Sequence, residues 1–343
     1  MVISPYGASF NPIGVIIWGI ITGYVFSTVG AAGAILTFIG QVVVFKIDQA
    51  YIKFFKEHPD KIPSQIASKG LPLEKAAKTV TKNTLKTHNL MAVILSPAIA
   101  VPRYYMERRV AIPLALSIAA GVVLGAIVGP SIPMSLKQYK FYFGIITFII
   151  GIRLAYECTE RYRKGKEKLK AISKAFEEKV KELKQTGDWE TLKKEGFKTL
   201  KFTPTELKFT FWGQEFTINP LLAAVGGFFI AVLASMLGLG GGFLLVPYLS
   251  SVFVLPMFVV SGTSITIVFI NSLVAIARSL QKGAVVDYAY MALFLIGVLI
   301  GSLVGPATQK YYKEKYLRAF LSVILLFYGL RFMGVWKALG IPI

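Results

Sequence analysis

The pentapeptide Gly238-Leu239-Gly240-Gly241-Gly242 interrupts an apolar run that begins after Asn219-Pro220 and continues to about Val254. Four glycines in five residues break a helix, because glycine loses more backbone freedom on ordering than any other residue. Hydrocarbon offers no partner to the N–H and C=O groups that such a break frees. A break at membrane depth is therefore tolerated only where protein or a watery cavity surrounds it. The helix that restarts near Phe243 points unpaired N–H groups and a positive dipole end into the break, which suits an anion. A tight turn between two packed helices is the competing reading.

The setting is a membrane. Of 343 residues, 55% are hydrophobic and 16% charged, and mean hydropathy is +0.61, whereas a soluble domain is about a quarter charged. No Lys or Arg precedes Lys46 and no small-residue cleavage site follows the first apolar segment, so that segment is expected to be retained rather than cleaved. The net charge of +20 raises a nucleic-acid reading. The charges, however, avoid the apolar segments and collect in two loops and at span ends, where Lys and Arg meet lipid phosphates or water. One cysteine, Cys158, excludes an intramolecular disulfide and a cysteine metal cluster, and two histidines, His58 and His88, leave little for haem or zinc. No cofactor, metal site or catalytic residue is expected.

Ile13 to about Val29 is a first span, interrupted at Gly30-Ala-Ala-Gly33; Ala34–Phe45 is too short to cross comfortably and reads as a re-entrant half-helix or a mismatched span. Lys46 to Lys86 is polar, with nine Lys against four acids, and reads as a loop. Further spans are read at His88–Val101 (ending at Pro102-Arg103), Val110–Val128 and Phe141–Ala155. Thr159–Trp212 is a soluble excursion. In it Leu169, Ile172, Phe176, Val180 and Leu183 recur at helical spacing, Gly187 ends that helix, and Trp189, Leu192 and Phe197 suggest a second one. Lys208–Ile218 reads as a hairpin around Gly213. Then Leu221–Leu237, the glycine break, Phe243–Val254, Ser261–Ala277, Tyr288–Val304 and Leu317–Phe332 follow.

The halves match one another. Asn11-Pro12 lies 208 residues before Asn219-Pro220, and the same offset sets Ser27 on Ser235, Gly30 on Gly238 and Gly33 on Gly241. Gly121, Gly125 and Gly129-Pro130 lie 176 before Gly297, Gly301 and Gly305-Pro306, and Gly151-x-Arg153 lies 178 before Gly329-x-Arg331. The expected fold is an all-α integral membrane protein with two homologous repeats of about four transmembrane helices each, carrying glycine-broken or re-entrant half-helices. Its divisions are 1–158 (with the polar loop 46–87), 159–217 and 218–343. A broken segment at matching places in both halves points to a transporter's substrate site. Four plus four crossings put both termini, the 159–212 loop and Arg103, Arg108, Arg109, Arg278 and Lys282 on one side; an inverted arrangement stays open.

Gly-x-Gly-Gly-Gly-x-x-x-Val-Pro-x-Leu (Gly238 to Leu249), Gly262-Thr263-Ser264, Gly283-x-Val-x-Asp287 and Gly297-x-x-x-Gly301 together resemble the TauE/SafE sulfite exporter family, also called the toluene-sulfonate uptake permeases. The resemblance covers both apolar halves. It implies a secondary permease of the cell membrane for sulfite, thiosulfate or organosulfonates, with a coupling proton or sodium ion, lipid contacts and an oligomer as possible partners. The first half departs from the pattern, with Thr87-His88-Asn89 where the second has Gly262-Thr263-Ser264.

A small oxyanion needs several hydrogen-bond donors and limited positive charge if it is to leave again. The candidate substrate-binding residues are Ser27, Gly30, Gly33, His88, Asn89, Ser235, Gly238, Gly240, Gly241, Gly242, Thr263, Ser264 and Asn271. Against each hydroxyl and amide stands a bond to its own or a neighbouring helix. His88 reads as a proton-coupling group or as a satisfied interfacial histidine near Lys86. The two glycine ladders read as helix-packing faces, Arg153 and Arg331 as snorkelling side chains, and Asp287 as a charge partner for a helix N-terminus. A Rossmann reading of Gly238-x-Gly240 fails for want of a preceding strand. A carrier or channel for another small anion or organic acid is the alternative, and a membrane-embedded enzyme lacks a visible catalytic cluster.

Overall fold

The computed structural model describes residues 1–29, 33–107, 110–160, 178, 182–183, 185–186, 197–211, 213–253, 255, 257–308 and 314–341. After a two-stranded hairpin, β1 (Val2–Ile3) and β2 (Ser9–Phe10), helix α1 spans Pro12–Val29. Asn11 Oδ1 accepts the Ile13 N–H at 2.9 Å and proline fills the first helical position, a start that Asn219 and Pro220 reproduce. A short leg follows, α2 (Gly33–Ile39) continued by a π turn at Gly40–Val44. Then come α3 (Ile47–Glu57), the one-turn α4 (Ser64–Ala67), α5 (Leu73–Met106), α6 (Ile112–Val128) and α7 (Leu136–Glu157). A three-stranded antiparallel sheet, β3 (Lys198–Phe202), β4 (Leu207–Phe211) and β5 (Gln214–Ile218), leads to α8 (Pro220–Leu237). The second short leg is α9 (Gly242–Pro247) with its own π turn at Tyr248–Val252, before α10 (Met257–Gln281), α11 (Tyr288–Thr308), α12 (Glu314–Met333) and the final turn α13 (Val335–Ala338). Eight of the described helices are long and apolar enough to cross a membrane, so the chain is an all-α, multi-pass integral membrane protein.

Glycines set the packing. A Cβ on Gly121, Gly125 or Gly129 would strike the carbonyls of Ala224, Phe228 or Val232 on α8; one on Gly297 or Gly301 would strike Ile16 or Ile20 on α1. Both ladders thus let two backbones touch. Ala224 and Phe228 lie 208 residues beyond Ile16 and Ile20.

These pairs also give directions. Rising numbers face rising numbers between α6 and α8 and between α1 and α11, which are parallel pairs. Gly144 against Gly329, Gly151 against Leu326 and Arg318 bonded to Glu157 make α7 and α12 antiparallel. Asn83 Nδ2 donates to Lys282 O, and Leu90 packs on Ala275, so α5 and α10 are antiparallel too. Helices placed in register by the sequence offsets (α1 with α8, α5 with α10, α7 with α12) therefore run in opposite directions.

Three expectations are corrected. The loop at 46–87 is mostly helix: α3, then the first fifteen residues of a 34-residue α5. Lys82 to Asn89 are buried, and neighbouring elements, not water, take the polar groups of Lys82, Asn83 and Thr84. Pro102 does not end the helix, which runs on to Met106. The termini and the 159–217 segment do not share a side. Phe10 packs on Tyr290 and Met333 lies against Gly144, which puts both chain ends at one pole, while α7 ends and α8 begins at the other. Arg278 and Lys282 lie at the terminal pole and Arg103 at the opposite one, since α5 and α10 run against each other. Arg108, Arg109 and most of the helix expected from Leu169 lie outside the described residues. The hairpin around Gly213 is present with an additional strand, β3, and Phe197 precedes that strand, its ring 4.6 Å from Phe209.

Candidate functional site

The two short legs meet on α5. A Cβ on Gly238 would lie 2.9 Å from the Lys86 carbonyl and one on Gly240 would lie 2.4 Å from Val93. Val93 also closes, with Ala92, a narrow crevice against Thr22, Phe26, Gly33 and Thr37 of the first half. Gly238, Gly240 and Gly241 have φ of 73°, 73° and 91°, a left-handed run that side-chain-bearing residues rarely adopt. Pro97 removes the donor that the Val93 carbonyl would have had within α5.

Around this point lie buried polar atoms without hydrogen-bond partners among the described residues: Asn89 Nδ2, Asn271 Oδ1, Ser272 Oγ and Lys86 Nζ. Asn271 Nδ2 donates to Gly240 O at 3.2 Å, fixing the break against α10. Tyr139 OH donates to Leu237 O, the last carbonyl of α8, at 3.0 Å. Arg153 Nη1 donates to Phe243 O at 2.6 Å. That carbonyl is vacant because its helical partner would be the N–H that Pro247 lacks. Arg153, expected to snorkel, instead latches the second short leg.

His88 belongs to a second network. Asp287 N–H donates to its Nε2 at 3.1 Å, so Nδ1 carries the proton and donates to Gln41 Oε1 at 3.2 Å. Gln41 Nε2 in turn donates to Asn89 Oδ1 at 2.9 Å. Asp287 caps α11 by accepting the Tyr290 N–H and also accepts from Tyr51 OH at 2.7 Å. The ring is thus a neutral, fully bonded imidazole in the described structure, 0% exposed.

The other candidates are placed as follows. Ser27 Oγ donates to Tyr24 O and Ser235 Oγ to Ala231 O, and each faces a ladder glycine, Gly305 or Gly129. Thr263 Oγ1 accepts from Ala111 N–H, and Ser264 Oγ donates to Ser261 O. Gly242 opens α9, Gly33 opens α2 against the Phe26 ring, and Gly30 lies outside the described residues. Lys86, Gln41, Tyr51 and Ser272 were not singled out in the sequence; a four-residue Lys78, Lys82, Lys86 spacing is the signal that marks the first of them.

At the terminal pole a basin of about 800 Å³ opens between the start of α5, the α6–α7 turn and Lys282. It is lined by Lys69, Lys75, Lys78, Lys82 and Lys282 against Glu74. Burial, Arg278 and Lys69 together hold the Lys282 pKa below the usual lysine value. The geometry offers a cationic mouth, a glycine-lined break and unbonded donors, which suits a small anion. Among the described residues no group of His, Cys, Asp or Glu is placed to hold a metal ion.

Parts of the chain are similar to known proteins. The chain is 32% identical over 95 residues to a "Probable membrane transporter protein" of Haemophilus influenzae, covering 27% of this chain and 35% of that one. It is 27% identical over 120 residues to the "Probable membrane transporter protein YunE" of Bacillus subtilis, covering 34% and 43%. The aligned part is thus under half the length of either relative. No solved structure matches. The family model "Sulfite exporter TauE/SafE" matches residues 81–332, from within α5 to the end of α12. With that match taking in most of the chain and both sides of the glycine break, the protein belongs to the TauE/SafE sulfite exporter family, a family of membrane transporters and not of enzymes.

Proposed function

We propose that this protein is a secondary transporter of the plasma membrane that moves small sulfur-containing anions such as sulfite, thiosulfate or organosulfonates. In this reading the chain is two inverted repeats, and alternating access exposes a site at the glycine breaks first to one pole and then to the other. The observation that carries it is the meeting of both short legs on α5, with unbonded donors of Lys86, Asn89 and Ser272 around Gly238–Gly241. Equal bounds at an offset of 208 for α1 and α8, and for the π turns at Gly40–Val44 and Tyr248–Val252, support the duplication. The sulfur anion itself rests on the family description. The His88–Asp287 pair is the place where a coupling proton would act, Asp287 being a fully buried carboxylate whose backbone N–H bonds the imidazole.

The lysine-lined basin suits any small anion, which keeps a carrier of organic acids as the second reading. Radiolabelled sulfite uptake into proteoliposomes, with thiosulfate, taurine, sulfate and acetate as competitors, separates them. Saturable uptake blocked by sulfur anions alone is expected; competition by acetate alone would remove the sulfur assignment.

A further inference from the structure

We propose that Lys86 is the charged ligand of the transported anion, reached from the terminal-pole basin along a lysine ladder of Lys78, Lys82 and Lys86 on one face of α5. This rests on reading the chain as an anion transporter and adds the charge that recognises the substrate.

The Lys86 residue is 1% exposed, and its ammonium has neither a hydrogen-bond acceptor nor a carboxylate within ion-pair distance among the described residues. Its neighbours in charge are provided for: Lys82 donates to Met134 O at 2.6 Å, and Lys140 pairs with the buried Asp48 at 2.6 Å. Lys86 has only the face of Tyr139, 5.2 Å from its nitrogen. A buried ammonium without a counter-charge is costly in a membrane, and such groups mark ion pathways. A cation–π contact compensates part of that cost without tying up the three N–H donors. An oxyanion supplies what is missing, a negative charge and several acceptor oxygens.

Placement supports the same assignment. The Lys86 backbone touches Gly238, and the Tyr139 hydroxyl holds the last carbonyl before the break. Break, ring and ammonium therefore form one unit. Each step of four residues along α5 rises about 6 Å. Lys78 and Lys82 line the basin and Lys86 lies one turn beyond it. A row of like charges opening on water draws anions in and raises their encounter rate. The Lys82–Met134 bond holds the α6–α7 turn over the step between basin and break.

The test uses the full chain, in detergent for thermal melting and in proteoliposomes for uptake. Sulfite, thiosulfate, phosphate, acetate and chloride are the probes, and Lys86→Met, Lys86→Arg and Lys75→Gln/Lys78→Gln are compared with wild type. Lys86→Met is expected to melt no lower than wild type without ligand, to lose the anion-induced rise in melting temperature and to lose saturable uptake. Lys86→Arg is expected to keep binding with a changed KM. The surface pair is expected to raise KM roughly tenfold at low salt with kcat unchanged, an effect that fades as salt screens it. An anion-induced shift that survives in Lys86→Met overturns the assignment, and an unaltered KM in the surface pair overturns the ladder even if Lys86→Met fails to fold. A shift with acetate alone that Lys86→Met abolishes keeps Lys86 and removes the sulfur reading. No shift in wild type with any probe removes both.

Discussion

The indole of Trp18 fills the space that a side chain on Gly40 would need: a Cβ there would lie 2.3 Å from Trp18 Nε1, which donates to Leu36 O at 3.0 Å. The second half makes the same fit with the roles exchanged. Tyr248, in register with Gly40, lies on Gly226, in register with Trp18, and donates to Leu222 O at 2.7 Å. Each short leg is held to its long neighbour by one aromatic ring over one glycine. Gly40→Ala and Gly226→Ala are each expected to cost about 1–3 kcal/mol through overpacking. Trimming the ring, as Trp18→Ala with Gly40→Ala or Tyr248→Ala with Gly226→Ala, should make the glycine change cheaper. Melting curves of the single and double variants in detergent check this; additive costs would show that ring and glycine do not share the space.

Glycines at the ladders and at the break should fail differently. A Cβ at Gly301 would lie 2.0 Å from the Ile20 carbonyl, backbone against backbone with nothing to yield. Gly301→Leu is expected to abolish monodisperse protein on size exclusion. Gly241, at φ 91°, would bring a Cβ against side chains alone, Ala234 at 3.1 Å, Ile230 at 3.7 Å and Leu245 at 3.9 Å, with no backbone in the way, so Gly241→Leu adds backbone strain of about 1–2 kcal/mol and contacts that can yield. It should remain folded and lose transport. Unchanged uptake in Gly241→Leu would take that glycine out of the site.

Arg153 and Pro247 should be coupled. Arg153→Met is expected to cost about 1–3 kcal/mol by leaving the Phe243 carbonyl without a donor. Pro247→Ala restores a backbone N–H to that carbonyl, so the arginine loss should be milder in its presence. Equal losses in both backgrounds would sink the latch.

The directions of the helices predict labelling. In a Cys158→Ser background, cysteines at Lys61 and at Lys337 should react with an impermeant maleimide from the same side of the membrane. A cysteine at Lys201 should react from the other side. Labelling of all three from one side would contradict opposite poles for the termini and the 159–217 segment.

Much of this architecture was legible. Asn11-Pro12 and Asn219-Pro220 mark helix starts because an amide cap and a proline without N–H both suit a first turn, and the glycine ladders marked the packing faces. Asp287 was legible as the cap it is. Lys82 to Asn89 was not. Eight of the nine residues from Thr81 to Asn89 are polar, so a hydropathy reading assigns them to water, whereas several of them find partners far along the chain. Asn83 bonds Lys282, Thr84 bonds Val285 and His88 bonds both Gln41 and Asp287, contacts that no local pattern announces. For the same reason the unbonded Lys86 reads in sequence as a loop lysine. The relative direction of the two halves was hidden because counting only long apolar segments omits the two short legs.

That omission has a consequence for the whole molecule. The leg at Gly33–Val44 returns along α1, from Phe26 back toward Gly14, so α5 sets out from the same pole as α1. Its twelve residues fix the parity of the first half. With that leg the long helices of the second half run against the first-half helices they share a sequence offset with; without it they would run the same way, and every loop after residue 46 would change sides.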